Sequence, residues 1–534
     1  MGTFQNFFQK PYFYLAVILT GIIITFTKLD QTYFWEDEVS TIMHTSGIPL
    51  SEFPDFFPQN EIKNISFYHE QLLLNNGNFT VSSQIRGLMN MPQFTPFHYV
   101  LLIFWHRIIG DGYMDYRWFS FFVYLLTLPL LFYLSIKIFK SRLAAWISVS
   151  LFSISPFFSF FSIEARYYML WAFIIVALHA AFLKSLEERS KIWWILYGLT
   201  AVIAMYISLF SSLVIVSHAL FVFIRKREKW LPFTVSQAVV FLAYLPWLLF
   251  MYNNHTMLTE AMAWQKASTW NIELSIWQLL FGQLTSMGKL FLSTTSRSWV
   301  RTIIVNRIPP PVILDMILVG IVTLIVLAGF AYSIKMADRE NRWLLLLLII
   351  PNFLFFLITD LIRGSGLAFI ERYMIVNYIV VFLSLGFAIA SLFKYKKVLS
   401  IVICFLLIFC CIVSLSLVYN NPCMAKRRDC PANLTLAGYL SSSGKTLLIT
   451  DYTPSLMNFM SVLIATDNDS LDILYTHDID SDFKNKYPLS DYRNVYAVHA
   501  SNALSDHIKK NLAGTASINF EVMKAGWEWT PGKN

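Results

Sequence analysis

Charge is scarce in this 534-residue chain: Asp, Glu, Lys and Arg together make up 14% of it. A soluble domain carries about 25%, so a chain solvated by water alone is excluded. Cysteine is scarce too, at five residues, and defines no disulfide framework. Cys404, Cys410 and Cys411 fall inside an apolar run and read as small core residues. Cys423 and Cys430 lie beyond the last run and pair if that side is oxidising; the sequence leaves this open. No fixed-period repeat or low-complexity tract occurs. No His, Asp and Glu cluster has metal-ligand spacing, so no metal or other cofactor is expected. The N-terminus shows no signal-peptide cleavage pattern, and its first apolar run is long enough to stay as an anchor.

What the chain does have is apolar length. Hydrophobic residues make up 56% and aromatics 17%, with a mean hydropathy of +0.54. Runs of roughly 18 to 22 apolar residues recur, each able to cross a hydrocarbon core of about 30 Å. The sequence predicts a mainly α, polytopic helical membrane protein. Its spans fall near 11–28, 117–136, 143–161, 168–183, 192–208, 211–224, 231–251, 312–334, 343–361, 373–393 and 398–419, about eleven in all. The net charge of +8 does not point to nucleic acid, because the basic residues gather in short links between runs. Links 137–142, 184–191, 225–229, 335–342 and 394–397 hold sixteen Lys and Arg and fall at alternate junctions. The positive-inside rule places these links and the N-terminus in the cytoplasm.

The other side receives residues 29–116, about 252–311, and a tail from 420 to 534. The expected division is a membrane domain over 1–419, with 29–116 as a catalytic outer loop, and a small extracytoplasmic α/β domain over 420–534. In the loop, P-L-S-E-F-P-D-F-F-P at 49–58 marks turns, and 94–110 reads as a helix lying at the interface. In the tail, 446–450, 471–475 and 494–498 read as strands and 502–512 as a helix.

Three places on that outer side carry chemistry. Glu36, Asp37 and Glu38 follow the first span among Tyr33, Phe34 and Trp35; ionisable groups near a membrane are functional suspects, and a solvated loop start is the bland account. Glu164 and Arg166 stand in the otherwise uncharged turn before 168, as a local ion pair, a snorkelling arginine or part of a site. Arg363, Glu371, Arg372 and Tyr373 precede the span at 373–393, where arginines suit an anion and equally a helix end. Asp467-Asn468-Asp469 and Asp478-Ile479-Asp480 lie in the tail and read as turns.

In order, Trp35-Glu36-Asp37-Glu38-Val39-Ser40, the stretch from Pro96 to Trp118, Ser162 to Leu170, Tyr244-Leu245-Pro246-Trp247 and Glu371-Arg372-Tyr373-Met374 resemble the GT-C superfamily of integral-membrane glycosyltransferases. The branch resembled holds the protein O-mannosyltransferases and the lipid A aminoarabinose transferases. The resemblance runs over most of the first 250 residues and returns at Arg372. It implies inverting transfer of a sugar from a polyprenyl-phosphate donor to an acceptor glycan, lipid or protein on the non-cytoplasmic face. It also implies Asp37 as the base, Glu38 in support, and Glu36 as incidental. Arg166 and Arg372, with Arg363 behind them, would hold the phosphate, and Tyr167 and Tyr373 would supply hydroxyls. Glu164 and His98 are supporting candidates. His44 and His98 have the core-histidine account beside them, and Arg117 that of a headgroup anchor. Residue chemistry agrees: a polyprenyl phosphate leaves as a stabilised anion, so one base suffices, with cations where charge grows. Adjacent carboxylates do not flank a glycosidic bond as a hydrolase pair does.

Besides an O-antigen-ligase-like transferase with a lipid diphosphate donor and a receptor or scaffold whose tail is the working part, the first rival reading is a transporter or flippase. It calls for charge at mid-membrane, whereas the notable acid within a run is Asp360, near an outer end. The expected location is a bacterial inner membrane with the site facing the periplasm. Sequons at Asn64, Asn78, Asn254, Asn433 and Asn468 keep a lumenal eukaryotic membrane as the alternative.

Overall fold

The computed structural model describes residues 8–46, 58–72, 80–89, 91–110, 112–188, 190–262, 275–292, 310–420, 430–451, 456–476, 486–498 and 519–523, with 423, 501, 503, 504 and 506. The expected turns over 49–57 and Asp478-Ile479-Asp480 lie outside them. So does most of the helix expected at 502–512, of which 503, 504 and 506 are helical. The chain folds as two compact units, one of 1–30, 92–98 and 117–421 and one of 31–91, 99–116 and 422–534.

The first unit is a bundle of apolar helices, and every expected apolar run is helical, 143–161 in two pieces. Among the described residues seven helices are long and apolar enough to cross a membrane, including Tyr113–Phe139, Tyr168–Glu187, Arg339–Arg363 and Lys397–Leu417. An eighth crossing is made if Arg142–Ser153 and Pro156–Ser162, bent by 63°, count as one. Pro156 opens the second piece, and its missing N–H is where the helix breaks. Pro11–Phe26, Ile192–Ile207 and Ser211–Arg225 are shorter. Ile375–Tyr395 is buried along nearly its whole length. It lies against Arg142–Ser153 so closely that a Cβ on Gly386 would fall 2.6 Å from the Ala144 carbonyl oxygen, the close approach that small residues permit between membrane helices.

Four of the five basic links meet at one end of this unit. Lys137 pairs with Glu187, Lys226 with Glu340 at 2.6 Å, and Asn341 Nδ2 donates to the Ile138 carbonyl at 2.7 Å. Links 137–142, 184–191, 225–229 and 335–342 thus share one side, as the alternation predicts.

The second unit is an α/β layer. Strands β1 (Ile62–Asn64), β2 (Thr446–Thr450), β3 (Leu471–Tyr475), β4 (Asn494–Val498) and β5 (Asn519–Met523) form one sheet in the order β1-β3-β2-β4-β5. β2 runs parallel to β3 and β4, with Thr446 opposite both Leu471 and Asn494, and β5 runs parallel to β4. Helices Cys430–Ser442 and Leu456–Ala465 flank β2 in the chain. Leu447, Ile449, Leu474, Val495 and Ala497 bury one apolar cluster. The three expected strands stand where the sequence put them.

β1 comes from the first outer loop and pairs antiparallel with β3, Ile62 opposite Leu474. Asn64 Nδ2 donates to the carbonyls of Asp469 at 2.9 Å and Leu471 at 3.2 Å and to Asp472 Oδ1 at 3.0 Å. His69 Nε2 bonds the Leu463 carbonyl at 3.1 Å. Loop and tail are one folded body.

Candidate active site

The acids lie in the second unit. Glu36, Asp37 and Glu38 form the first turn of helix Glu36–Ser46, where carboxylates complement the helix dipole. Trp35 is the cap: its carbonyl accepts from the N–H groups of Glu38 at 2.9 Å and Val39 at 3.1 Å. Glu38 is fully buried, and its Oε2 accepts the Trp35 N–H at 3.3 Å. This is the N3-to-cap half of a capping box. Glu38 therefore fixes how the helix starts, a role the sequence reading did not foresee.

Asp37 is half-buried, and its carbonyl accepts from Thr41 Oγ1 at 3.1 Å. From Glu38 to Ser46 every residue is buried although most are polar. Their side chains bond within the helix: Thr45 to the Thr41 carbonyl at 2.6 Å, Ser46 to that of Met43 at 2.7 Å, and His44 Nδ1 to that of Ser40. His44 is a buried histidine bonded through Nδ1, its ring 5.5 Å from that of Tyr99.

The cations lie in the first unit, and the structure brings two of them together. The guanidinium carbons of Arg166 and Arg372 stand 5.7 and 5.6 Å from the ring centre of Tyr168. Arg166 also lies 5.8 Å from the Tyr167 ring, and Arg372 lies 5.9 Å from that of Tyr373. Arg166 and Tyr373 are buried, and Arg372 is half-buried. Burial raises the Tyr167 hydroxyl well above the usual tyrosine value, so it stays a neutral hydrogen-bonding group.

His98 is buried at 6.3 Å from the Tyr167 ring. Burial first, then the Arg166 charge, pushes its imidazole down to about 3, so it too is neutral. Glu164 is fully buried in the same turn; its carbonyl accepts from Ser120 Oγ at 2.7 Å and the Arg166 N–H at 2.7 Å.

Local chemistry explains how Arg372 is presented. Asp360 is buried, and its Oδ1 accepts from Ser365 Oγ at 2.6 Å and the Leu367 N–H at 2.8 Å. Gly364, at φ +59°, ends the Arg339–Arg363 helix in the left-handed conformation that glycine adopts at low cost. The acid that a transport reading would notice thus ties a turn. Glu371 pairs with Lys289 at 2.8 Å, anchoring the short 3₁₀ turn Glu371–Met374 to helix Ile276–Lys289.

Arg363 is exposed at its helix end, and among the described residues no contact joins it to the Arg166–Arg372 pair. Arg117 is fully buried rather than at the headgroups; its Nη1 donates to the Leu29 carbonyl at 2.9 Å and holds the chain leaving the first helix. Tyr168 and Lys289 were not foreseen; the doubled Tyr167-Tyr168 between a buried arginine and a span is the signal that could have found the first. Two guanidiniums near one tyrosine ring, beside the Tyr167 hydroxyl and the His98 imidazole, suit a phosphate or carboxylate. Arg166 and Glu188 lie just beyond opposite ends of the 20-residue helix Tyr168–Glu187, about 30 Å or one hydrocarbon core apart.

No protein-family model and no curated protein matches the sequence. Solved structures do. ArnT from Cupriavidus metallidurans bound to undecaprenyl phosphate aligns with a TM-score of 0.51 at 11% identity, covering 94% of this chain and 89% of that one. The archaeal oligosaccharyltransferase AglB from Archaeoglobus fulgidus, in complex with an inhibitory peptide and a dolichol-phosphate, aligns at 0.47 and 13% identity over 86% and 64% of the two chains. ArnT in the apo state aligns at 0.38 and 12% identity over 96% and 89%. The two lower scores carry no weight on shared geometry. The chain shares the fold of undecaprenyl-phosphate-bound ArnT, and the multi-pass membrane fold implied by the GT-C resemblance is borne out.

Proposed function

We propose that this chain is an inverting glycosyltransferase that moves a sugar from a polyprenyl-phosphate donor to a hydroxyl or phosphate acceptor on the outer face of the membrane. The observation that carries it is the convergence of Arg166 and Arg372 on Tyr168 in a chain with the fold of a protein solved with undecaprenyl phosphate. The acceptor oxygen attacks the anomeric carbon as the bond from that carbon to the phosphate oxygen breaks. The polyprenyl phosphate leaves with the electron pair, and Asp37 takes the acceptor proton. Arg166 and Arg372 meet the growing negative charge. Tyr167 and His98 hydrogen-bond around it as neutral groups, with the Tyr373 hydroxyl beside them and Glu164 supporting the turn.

The crossing count of about eleven and a cytoplasmic N-terminus belong to the same reading, as does a bacterial inner membrane with the site on the periplasmic side. Sequon geometry supports a compartment without N-glycans. Asn64 Nδ2 already serves three acceptors, Asn468 Nδ2 serves two, and Asn433 is buried against the Tyr33 hydroxyl at 3.0 Å.

Binding to the purified protein tests the phosphate site. Undecaprenyl phosphate should bind more tightly than neutral undecaprenol, and Arg166→Ala with Arg372→Ala should erase the difference. Equal binding of both lipids by the wild type would contradict the reading and favour a carrier that recognises only the chain.

A further inference from the structure

Residues just before Asp37 are gripped by the C-terminal part of the chain. Cys423 and Cys430 are joined in a disulfide, resolving what the sequence left open. Cys430 is buried in one apolar cluster with Tyr33 and Trp35, against which Cys423, Leu434 and Ala465 pack. Asn433, one helical turn after Cys430, donates from Nδ2 to the Tyr33 hydroxyl at 3.0 Å. Leu434 belongs to the Cys430–Ser442 helix, and Ala465 closes the Leu456–Ala465 helix. The Trp35 side chain thus shares one apolar cluster with the disulfide and with two helices of the α/β layer.

The Trp35 backbone meanwhile caps the acid helix. Its carbonyl takes the Glu38 and Val39 N–H groups, and its own N–H is held by the Glu38 carboxylate. Asp37 sits between those bonds, so its place follows from where Trp35 is held.

We propose that Trp35, clamped by the Cys423–Cys430 disulfide, is a positioning residue for Asp37, and that this clamp is what the C-terminal domain contributes to catalysis. The proposal rests on Asp37 being the base. A reacting group must be held within about 0.5 Å of its productive place, and a misplacement of about 1 Å costs on the order of a hundredfold. Loss of the clamp should therefore act on turnover and leave donor binding, which the proposed function assigns to Arg166 and Arg372, unchanged.

The test uses the full chain in liposomes, with the lipid-linked sugars of a total membrane lipid extract as donor and release of undecaprenyl phosphate as readout. Reduction of the wild type, or Cys423→Ala with Cys430→Ala, should lower kcat roughly ten- to a hundredfold with apparent KM within about twofold. The double variant should be insensitive to reductant, and the reduced wild type should recover on reoxidation. Trp35→Phe should keep most of the rate, and Trp35→Ala should lose it. Acute reduction needs no refolding, so a poorly folding variant does not spare the proposal. Unchanged kcat after complete reduction, with Asp37→Asn inactive, overturns the clamp alone. Equal reductant sensitivity of the double variant, tracing the effect to Cys404, Cys410 or Cys411, also overturns it. Full activity of Asp37→Asn overturns the base assignment and the clamp with it.

Discussion

Arg166 and Arg372, far apart in sequence, place their guanidinium carbons at nearly equal distances, 5.7 and 5.6 Å, from the ring of Tyr168. The Tyr168 ring is thus a common cation–π partner of two like charges. Arg166→Ala and Arg372→Ala should each weaken undecaprenyl phosphate binding by roughly ten- to a hundredfold. Lysine should restore little at either position, since it lacks the planar fork that stacks and binds in pairs. Tyr168→Phe should be nearly silent. Tyr168→Leu should cost about 1–2 kcal/mol, roughly tenfold in affinity. Calorimetry with undecaprenyl phosphate in detergent reads all six.

Asp37 and Glu38 should separate by type of defect. Glu38→Ala removes the acceptor of the Trp35 N–H and should lower stability by about 1 kcal/mol, read as a fall in Tm. Glu38→Gln keeps an acceptor and should melt near the wild type. Asp37→Asn should also melt near the wild type but lose about 10²- to 10⁴-fold in turnover. A normal rate in Asp37→Asn together with a dead Glu38→Gln would move the base to Glu38.

His98 gives a pH signature. Its native imidazole is pushed down to about 3 by burial and Arg166, whereas the unfolded chain protonates it near 6.5. The unfolded state then binds more protons across that window. The stabilising contribution is complete above about pH 6.5 and is lost as pH falls towards 3, at no more than about 1.4 kcal/mol per pH unit. The Tm of the wild type should fall more steeply from pH 6.5 to 4 than that of His98→Gln. Equal slopes would mean that His98 is not buried uncharged.

The strand from the outer loop should matter to the tail. Asn64→Ala strips the donor from three acceptors and should destabilise this unit by about 1–3 kcal/mol. Hydrogen exchange should speed up in β3, residues 471–475, while the membrane helices stay protected. Unchanged protection of β3 would show that β1 adds nothing to the sheet.

Apolar length was the legible part of this chain. Each run is helical, one of them in two pieces, and four of the five basic links gather at one end as their alternation required, because hydropathy and charge act locally along the sequence. β2, β3 and β4 were readable for the same reason: five-residue apolar runs bounded by turn formers. β1 was not, since Ile62-Lys63-Asn64 is short and polar and becomes a strand only when β3 lies beside it. The 252–311 stretch, read as a loop, holds the Ile276–Lys289 helix, and Lys289 becomes informative only through its pairing with Glu371. At the candidate site, residue type singled out Arg166 and Arg372, but only the fold showed that they share Tyr168. It also showed that Arg363 stands apart and that Glu38 is spent on a helix start. Spacing carries which residues are chemically able; long-range packing decides which of them meet.

Sugar transfer by the reconstituted chain tests the central claim most directly. Liposomes holding wild-type protein, the lipid-linked sugars of a total membrane lipid extract and the membrane's own acceptors should release undecaprenyl phosphate and gain glycosylated product, both followed by mass spectrometry. Asp37→Asn should do neither above background. No release by the wild type, or release by Asp37→Asn at the wild-type rate, would contradict the account.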